Sequence, residues 1–523
     1  MILFELIYAF ALVALSIYGF SSLYLVWQYA RTRRRPVAEP PAPREWPRVT
    51  IQLPIFNERH TVERLLDAVA AIDYPRDRLQ VQVLDDSTDD TVERVAALVL
   101  RLRCAPLRIR LRREGLNIAH RHRAERTGFK AGALAAALDD ASGELIAIFD
   151  ADFVPPPDFL RRTIPWFAGD CVGCVQARWE HLNRDYSRLT QAQALGVDGH
   201  FVVEQAARHR SGLFVNFNGT AGVWRKACIA DAGGWQHDTL TEDLDLSYRA
   251  QLRGWRFVYL PDVPVPAELP VQMDAYKRQQ ARWAKGTMQT ARKLIGPLLR
   301  SSQPFRVKVE GVLHLTGYLV HPLILLLVLL SPLMAAFAPD SEVLRIAPWL
   351  MLAASGPPLM YLVSRTPNGP ALRQRMLLLP WMIVMGMGLS LNNGRAALEG
   401  LLGRESGTFL RTPKFAVSSI AGRWESSVYA LPRDRWVWAE LALSLMALVS
   451  VAIVAVNRHW GFLPWLFVYM LGFGGVAWLS VRQAWDVARV TAVSSAMGRN
   501  ATPNTMPRSL QSTAHYSGRS SIS

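Results

Sequence analysis

The apolar residues of this chain are segregated, and that segregation limits its architecture more than any other feature. Runs with almost no charge occupy residues 6–27 and recur near 311–337, 345–363, 376–392, 437–456 and 462–481. Each is close to the ~20 residues that an α-helix needs to cross a hydrocarbon core. The stretch 48–300 is mixed in the manner of a soluble α/β domain. Of 523 residues, 50% are hydrophobic and 20% charged, so the chain reads as one soluble domain held among membrane helices. A wholly soluble protein, a disordered chain and a purely membrane-embedded transporter are excluded.

Lys and Arg number 59 against 43 Asp and Glu, a formal charge of +16. The basic residues sit beside the apolar runs, at Arg31, Arg33, Arg34 and Arg35, within 395–435, and at Arg482, Arg489, Arg499, Arg508 and Arg519. In a membrane protein such a bias marks cytoplasmic loops, and nucleic acid is not an expected partner. Residues 6–27 lack the basic start and small-residue cleavage site of a signal peptide. They read as a retained helix, 1–30, whose C-terminal end is cytoplasmic, followed by a basic, Pro-rich linker, 31–47. A cytoplasmic domain, 48–300, then precedes membrane helices within 301–481, an interfacial segment at 393–436 and a cytoplasmic tail, 482–523. Ser and Thr enrichment over 495–523 predicts disorder there. Three apolar runs separate two stretches that both read as cytoplasmic, so one of the three is expected not to cross. The weakest is 345–363, interrupted by Pro348 and by Gly356-Pro357-Pro358.

Four cysteines in this length do not make a disulfide framework. Cys171 and Cys174 form one C-x-x-C with no second pair or histidine cluster, and the segment Val172–Trp179 beside them reads as a strand.

From Arg48 the pattern alternates. VTIQLPIF is a strand, followed by a helix from about Thr61 to Ile72. RLQVQVLDD is a buried strand, followed by a helix from about Asp89 with Ser87 and Thr88 as capping candidates. LRIRLRR reads as a strand, KAGALAAALDDA as a helix and ELIAIFDAD as a further strand. This order predicts a parallel sheet with helices on both faces. Ligands of such sheets bind beyond the carboxyl ends of the strands, and two strands end there in acids, at Asp85-Asp86 and at Asp150/Asp152.

A hard divalent cation takes oxygen ligands and commonly shares its shell with substrate phosphates. Asp150 and Asp152 at a strand end therefore suit Mg²⁺ or Mn²⁺ with a diphosphate. Thr241-Glu242-Asp243 opens a helix with acids. These residues either cap the helix, favoured by its dipole, or supply a general base. In Gln279-Gln280-Ala281-Arg282-Trp283 the Arg can clamp a diphosphate and the Trp can stack on a sugar. An interfacial helix with Trp at headgroup level is the alternative. Lys130 is a phosphate partner or a surface lysine beginning a helix.

Taken in order, D-D, D-x-D, T-E-D and Q-x-x-R-W between membrane helices resemble the family 2 glycosyltransferases of the cellulose synthase type. QLPIFNE, QVLDDSTDDT and GFKAGAL resemble the branch with plant glucomannan (mannan) synthases, and ceramide glucosyltransferases share much of the set. The resemblance is strong over residues 48–300 and loose over 301–480. It implies an α/β GT-A (Rossmann-like) cytoplasmic domain with an α-helical transmembrane region, a nucleotide-sugar donor, a Mg²⁺ or Mn²⁺ cofactor and inversion to a β linkage. By the same resemblance Pro54, Asn57 and Glu58 would line the nucleotide pocket, with Asp85 or Asp86 on the base or ribose and Lys130 on the diphosphate. Asp150 would approach the donor and, with Asp152, hold the metal. Asp243, beside Glu242, matches the catalytic base. Gln279, Arg282 and Trp283 would meet the diphosphate and the acceptor end, and Asn218, Gly219 and Thr220 fall where the family contacts its acceptor. Phe409, Thr412, Pro413 and Lys414 resemble the F-x-V-T-P-K gating loop, with Arg411 in place of the family's Val.

The expected activity is a multi-pass membrane enzyme, its catalytic domain cytoplasmic, that adds hexosyl units from UDP-glucose or GDP-mannose to a growing β-linked polysaccharide. A glycolipid glucosyltransferase is the alternative, and a non-catalytic membrane nucleotide-binding protein a remote one. The expected partners are the donor, a glycan or lipid acceptor and the bilayer. Accessory subunits are left open by the sequence.

Overall fold

The sheet grows outward from β1 (Val49–Ile55), whose run VTIQLPI is buried at almost every position because helices cover both of its faces. The computed structural model describes residues 2–35, 38–104, 115–338, 341–403, 411–418, 424–458 and 460–500. In it β1 pairs in parallel with β2 (Leu79–Asp85) on one side and β4 (Leu145–Ile148) on the other. β3 (Ile118–His122) lies in parallel beyond β2. The other flank holds β6 (Gly222–Arg225), β5 (Val172–His181) and β7 (Arg256–Ala267), giving the order β3-β2-β1-β4-β6-β5-β7.

β6 runs antiparallel to both neighbours, so the expected parallel sheet is corrected to a mixed one. Its placement matters for the site. Gly222 pairs with Ile148, the last residue of β4. The segment entering β6 therefore arrives at the rim that β1, β2 and β4 leave. A strand of four residues has too little pattern to announce its direction. The predicted LRIRLRR strand lies outside the described residues, and the edge strand is supplied by Ile118–His122.

Helices Val62–Ala70 and Thr91–Cys104 pack on one face, and Phe129–Leu138 and Glu242–Leu252 on the other. The small side chains of FKAGALAAAL let that helix lie close, with Ala131, Ala133, Leu134 and Ala137 buried. The capping expectation for Thr91–Cys104 is corrected. Asp89 Oδ1 accepts from the Thr91 amide at 3.0 Å, whereas Ser87 and Thr88 bind Asn57. The cysteines are free, with Cys171 exposed and Cys174 buried.

Among the described residues, five helices are long and apolar enough to cross a membrane: Ile2–Thr32, Gly317–Phe337, Glu342–Val363, Val437–Val456 and Trp460–Val490. A sixth candidate, Leu372–Gly388 with Ser390–Leu401, is bent by 47°. This bent pair is a second irregular element beside 345–363, where a 3₁₀ stretch, Leu352–Ser355, interrupts the helix just before Gly356-Pro357-Pro358 opens Gly356–Val363. A long amphipathic helix, Met273–Arg300, and a shorter one, Phe305–Leu315, join the sheet domain to the membrane helices. The predicted disordered tail lies outside the described residues from 501 onward, while 495–500 are helical.

Candidate active site

Beyond the end of β4, Asp150 and Asp152 leave the sheet beside the segment that enters β6. The Asp150 amide donates to Thr220 Oγ1 at 2.9 Å, which ties the two segments together. Lys130, in the first turn of Phe129–Leu138, donates to Asp150 Oδ1 at 2.6 Å and to the Gly219 carbonyl at 2.8 Å. Gly219 has φ +82°, and a Cβ there would come within 3.0 Å of Asp243 Oδ2 and 3.4 Å of Lys130 Nζ. Only glycine combines that backbone with that approach. Asp150, Lys130, Gly219, Thr220 and Asp243 therefore share one site.

Asp243 lies in the first turn of Glu242–Leu252 and accepts from the Leu244 amide at 2.8 Å. Burial, reinforced by the charge of Glu242, pushes its carboxyl up to about 7. Glu242 is raised as well, chiefly by burial and against the pull of Lys130. Burial would lower Lys130, but Asp150, Glu242 and Asp243 outweigh it and hold the ammonium above its usual range.

The helix Met273–Arg300 closes this side. A Cβ at Gly286 would lie 2.7 Å from Thr241 Cγ2, so the helix presses directly on the start of the T-E-D segment. Gln289 Oε1 accepts from the Leu240 amide at 3.0 Å, Thr290 meets Thr241 at 3.1 Å and Lys293 meets Asp245 at 2.9 Å. One turn before Gly286, Arg282 enters the field of Glu242, Asp150, Asp243 and Asp152, although burial still leaves its pKa below normal. Gln279 and Trp283 are half-buried on the same helix.

On the opposite side, Pro54 lies within β1 and pairs with Leu84. Asn57, with φ 54°, clasps the loop after β2. Its amide donates to Ser87 Oγ at 2.8 Å, and its Oδ1 accepts from the Thr88 amide at 2.8 Å. Asp85 is fully buried and receives His120 Nε2 at 2.9 Å and the Ser87 amide at 2.9 Å. Burial opposes ionisation, but those hydrogen bonds prevail and hold Asp85 below the usual carboxylate range. Asp86 takes both arms of Arg123 at 2.7 Å each. Both acids are thus engaged by the protein itself.

The segment 411–418 straps this side. Lys414 Nζ meets Asp152 Oδ2 at 2.7 Å and donates to the Glu268 carbonyl, and the Phe415 amide donates to Glu268 Oε1 at 2.8 Å. Arg411 donates to the Phe56 carbonyl at 2.9 Å, lies 3.7 Å from Glu58 and stacks on Tyr429 at 4.2 Å. Glu58 is pushed up to about 7 by burial, partly offset by Arg411. Thr412 is buried and Pro413 lies on the same strap. Phe409 lies outside the described residues.

Backbone strain gathers here. Asn57, Phe129, Ala221 and Ala416 have φ of 54°, 51°, 55° and 56°. Each adjoins a residue just described, and non-glycine residues persist in that region where surrounding structure forces them, as functional sites do.

Two oxygen donors one residue apart, with hard anionic chemistry, fit a divalent cation. Asp150 and Asp152 present such carboxylates, their charge met by Lys130 and Lys414. Glu180, His181 and Asp198 also converge, with ligand atoms within 4.8 Å of one another. Their oxygens are already taken, those of Glu180 by Arg184 and Arg178 and those of Asp198 by His181 and Arg184. That group is an ion-pair network rather than a metal site.

Sequence reasoning missed His120, Arg123, Glu268 and the contact of Arg411 with Glu58. These are long-range partners without local spacing, and only the basic character of the 395–435 stretch hinted at the last.

The mixed sheet with its acidic rim is GT-A-like. Residues 47–286 match the family model described as glycosyltransferase like family 2, and this part of the chain is a glycosyltransferase family 2 domain. Over 262 residues the chain is 44% identical to Glucomannan 4-beta-mannosyltransferase 1 of Oryza sativa subsp. japonica, covering 49% of each. It is 43% identical to Glucomannan 4-beta-mannosyltransferase 2 of Arabidopsis thaliana over 262 residues, 49% of this chain and 48% of that one. The matched part spans about half the length of these curated relatives. The mannosyltransferase PcManGT from Pyrobaculum calidifontis, solved in complex with GDP-Man and Mn2+, aligns with a TM-score of 0.50 at 24% identity, over 76% of this chain and 100% of that one. This likeness bears on the fold alone.

Proposed function

We propose that this chain is a membrane-embedded, inverting glycosyltransferase that adds hexosyl units from a nucleotide sugar to a growing β-linked polysaccharide. The observation that carries this reading is the convergence of Asp243, Lys130, Asp150 and Arg282 around Gly219. A base with a pKa near the working pH is well matched to take a proton from a hydroxyl, and Asp243 is raised to about 7. In the proposed step its carboxylate takes the acceptor hydroxyl proton. The hydroxyl oxygen attacks the anomeric carbon, and the bond to the diphosphate breaks on the opposite face. The electron pair leaves with the nucleoside diphosphate, and Lys130 and Arg282 stabilise its growing charge. Asp150 and Asp152 would hold a Mg²⁺ or Mn²⁺ ion, which when bound neutralises that diphosphate. Asn57, Glu58 and Arg411 would border the nucleotide, with Lys414 released from Asp152 as the donor seats. Gln279 and Trp283 would meet the acceptor end.

The relatives' names and the GDP-Man bound to PcManGT make GDP-mannose the first donor to try, with UDP-glucose second. Five crossings with a cytoplasmic catalytic domain are proposed. Support comes from the bent pair. Its first helix meets the sheet domain across a crevice of about 670 Å³ between Ser187, Gln191, Asn368 and Gln374. Its second helix ends with Gly400 packed on the Lys285 backbone. Both ends touch the catalytic side, so the pair enters the membrane interface without adding a crossing, and the parity of the remaining helices is met.

Purified membranes supplied with radiolabelled sugar nucleotides test the reading. A long product cut by an endoglycanase supports it. A solvent-extractable glycolipid moves the chain to the lipid-acceptor class, and no transfer from any sugar nucleotide ends the assignment.

A further inference from the structure

The loop Asn218–Gly219–Thr220 touches three charged members of the site, Lys130, Asp150 and Asp243. The Gly219 carbonyl receives Lys130, Gly219 lies under Asp243, and Thr220 Oγ1 receives the Asp150 amide. The sheet holds its far end, where Gln176 Nε2 of β5 donates to the Thr220 carbonyl at 3.1 Å and the Ala221 amide donates to the Ile148 carbonyl at 2.9 Å, just before β6 begins at Gly222. Its near end, at Asn218, is set by side chains. The Asn218 amide donates to Gln176 Oε1 at 3.0 Å, and the Asn218 side chain is gripped at both ends. Gln205 Nε2 donates to its Oδ1 at 2.7 Å, and its Nδ2 lies 3.0 Å from His200 Nε2.

The donors and acceptors in this chain settle the histidine tautomer. Asn218 Oδ1 is already an acceptor, so Nδ2 faces His200 and donates, and His200 Nε2 accepts. The proton of His200 therefore sits on Nδ1, which meets Glu204 Oε2 at 2.9 Å. Burial works against a charge on Glu204, but the hydrogen bond from His200 and the charge of Arg208 prevail and keep it well below the usual carboxylate range. Arg208 Nε donates to Glu204 Oε1 at 3.0 Å and its Nη2 lies 3.7 Å from Glu310, which receives Ser21 of the first apolar helix at 3.1 Å. Both gripping residues, His200 and Gln205, lie in a seven-residue π-helical stretch, Gly199–Gln205. A π-turn inside an α-helix is uncommon and widens the helix by one residue, often at functional sites. Here it lets residues at both ends of the stretch reach the same asparagine.

We propose that His200 is a positioning residue, which through Asn218 fixes the Gly219–Thr220 backbone against Lys130, Asp150 and Asp243. It touches neither substrate nor reacting atoms. This inference rests on the transferase reading for its kinetic test but has a second readout that does not. A displacement of about 1 Å at reacting groups can cost on the order of 100-fold in rate. His200→Leu removes both the acceptor at Nε2 and the donor at Nδ1. His200→Gln keeps an amide that can receive Asn218.

The full chain is to be compared in nanodiscs as wild type, His200→Leu and His200→Gln. The expected result is a kcat in the leucine variant lowered about 10- to 100-fold, with the donor KM and the affinity for a nucleoside diphosphate with Mn²⁺ held within about twofold. The glutamine variant should recover most of the loss, with all three proteins melting alike. A leucine variant with wild-type kcat overturns the proposal. So does a loss explained by less folded protein, or a glutamine variant as impaired as leucine. Hydrogen exchange over residues 216–222 is the readout independent of turnover. Those amides should exchange faster in the leucine variant and at the wild-type rate in the glutamine variant. Unchanged exchange defeats the clamp even if the enzyme is inactive. A clamp seen by exchange in a wild type that transfers no sugar defeats only the transferase reading.

Discussion

Glu180, His181 and Asp198 on one side, and Asp150, Asp152, Glu242 and Asp243 on the other, are acidic groups of one domain with opposite internal accounts. In the first group each carboxylate oxygen has a partner nitrogen from Arg178, Arg184 or His181, at 2.9–3.1 Å, and the side chains are almost wholly shielded. Asp198 is accordingly held below the usual carboxylate range, burial being outweighed by His181 and Arg184. In the second group Asp150 and Asp152 borrow lysines from two separate elements, while burial pushes both Glu242 and Asp243 upward, with the charge of Asp150 adding to the first and that of Glu242 to the second. The backbone around them is strained at several positions. A satisfied network stabilises one arrangement, whereas a carboxylate pair left short of positive charge is suited to a proton or a cationic ligand. The difference separates a satisfied acid cluster from the one proposed as reactive within a single domain.

Metal removal should divide the two groups most sharply. EDTA is expected to take sugar transfer to background, and Mg²⁺ or Mn²⁺ to restore it, without a change in thermal stability that the Glu180 network would produce. Full transfer in chelator would remove the metal role of Asp150 and Asp152. Next in size is Asp243→Asn, which should lower kcat by about 10²–10⁴ while donor binding and folding persist. Wild-type turnover by that variant would end the assignment of the base. The mirror experiment is Asp198→Asn. It breaks a buried pair on both sides, so stability should fall by roughly 3–5 kcal/mol, with kcat per folded molecule preserved. If Asp198→Asn instead melts like wild type and loses turnover, the distinction between the two clusters collapses.

The reactive group was legible because its members announce themselves locally. An apolar strand running into acids, as in LQVQVLDD and LIAIFDAD, identifies β2, β4 and their rim. Acids opening a helix identify Glu242 and Asp243, and the spacing of Gln279, Arg282 and Trp283 marks one helix face. What stayed hidden is long-range. Nothing near Asp152 in the chain points to Lys414, and nothing near Asn218 points to His200. The antiparallel β6 is too short to carry a direction, and the half-polar IAHRH has little of the alternation of a strand. In the membrane region the prolines marked one interruption of two. Pro357 and Pro358 open a helix segment after the 3₁₀ stretch Leu352–Ser355, whereas the 47° bend between Gly388 and Ser390 carries no proline.

The smallest predicted effect concerns stability and has a definite sign. Asp243 is raised from the ordinary carboxylate range to about 7. Between about pH 4, where an unfolded Asp loses its proton, and about 7 the native state retains a proton that the unfolded state has released. Stability from this group is therefore complete below that window and is lost as pH rises through it. Asparagine carries no ionisable proton, so Asp243→Asn escapes the loss. Its melting temperature relative to wild type should climb from acid pH and level off above about 7, a gain of a few degrees at most. Asp198→Asn should show the reverse in a lower window, its deficit constant above about pH 4 and shrinking below it as acid protonates the wild-type carboxylate that the ion pairs hold ionised. Melting curves of both variants from about pH 3 to 8 supply the comparison. Parallel pH profiles in the two variants would mean that Asp243 is as well matched as Asp198, and the reactive rim would lose its physical basis.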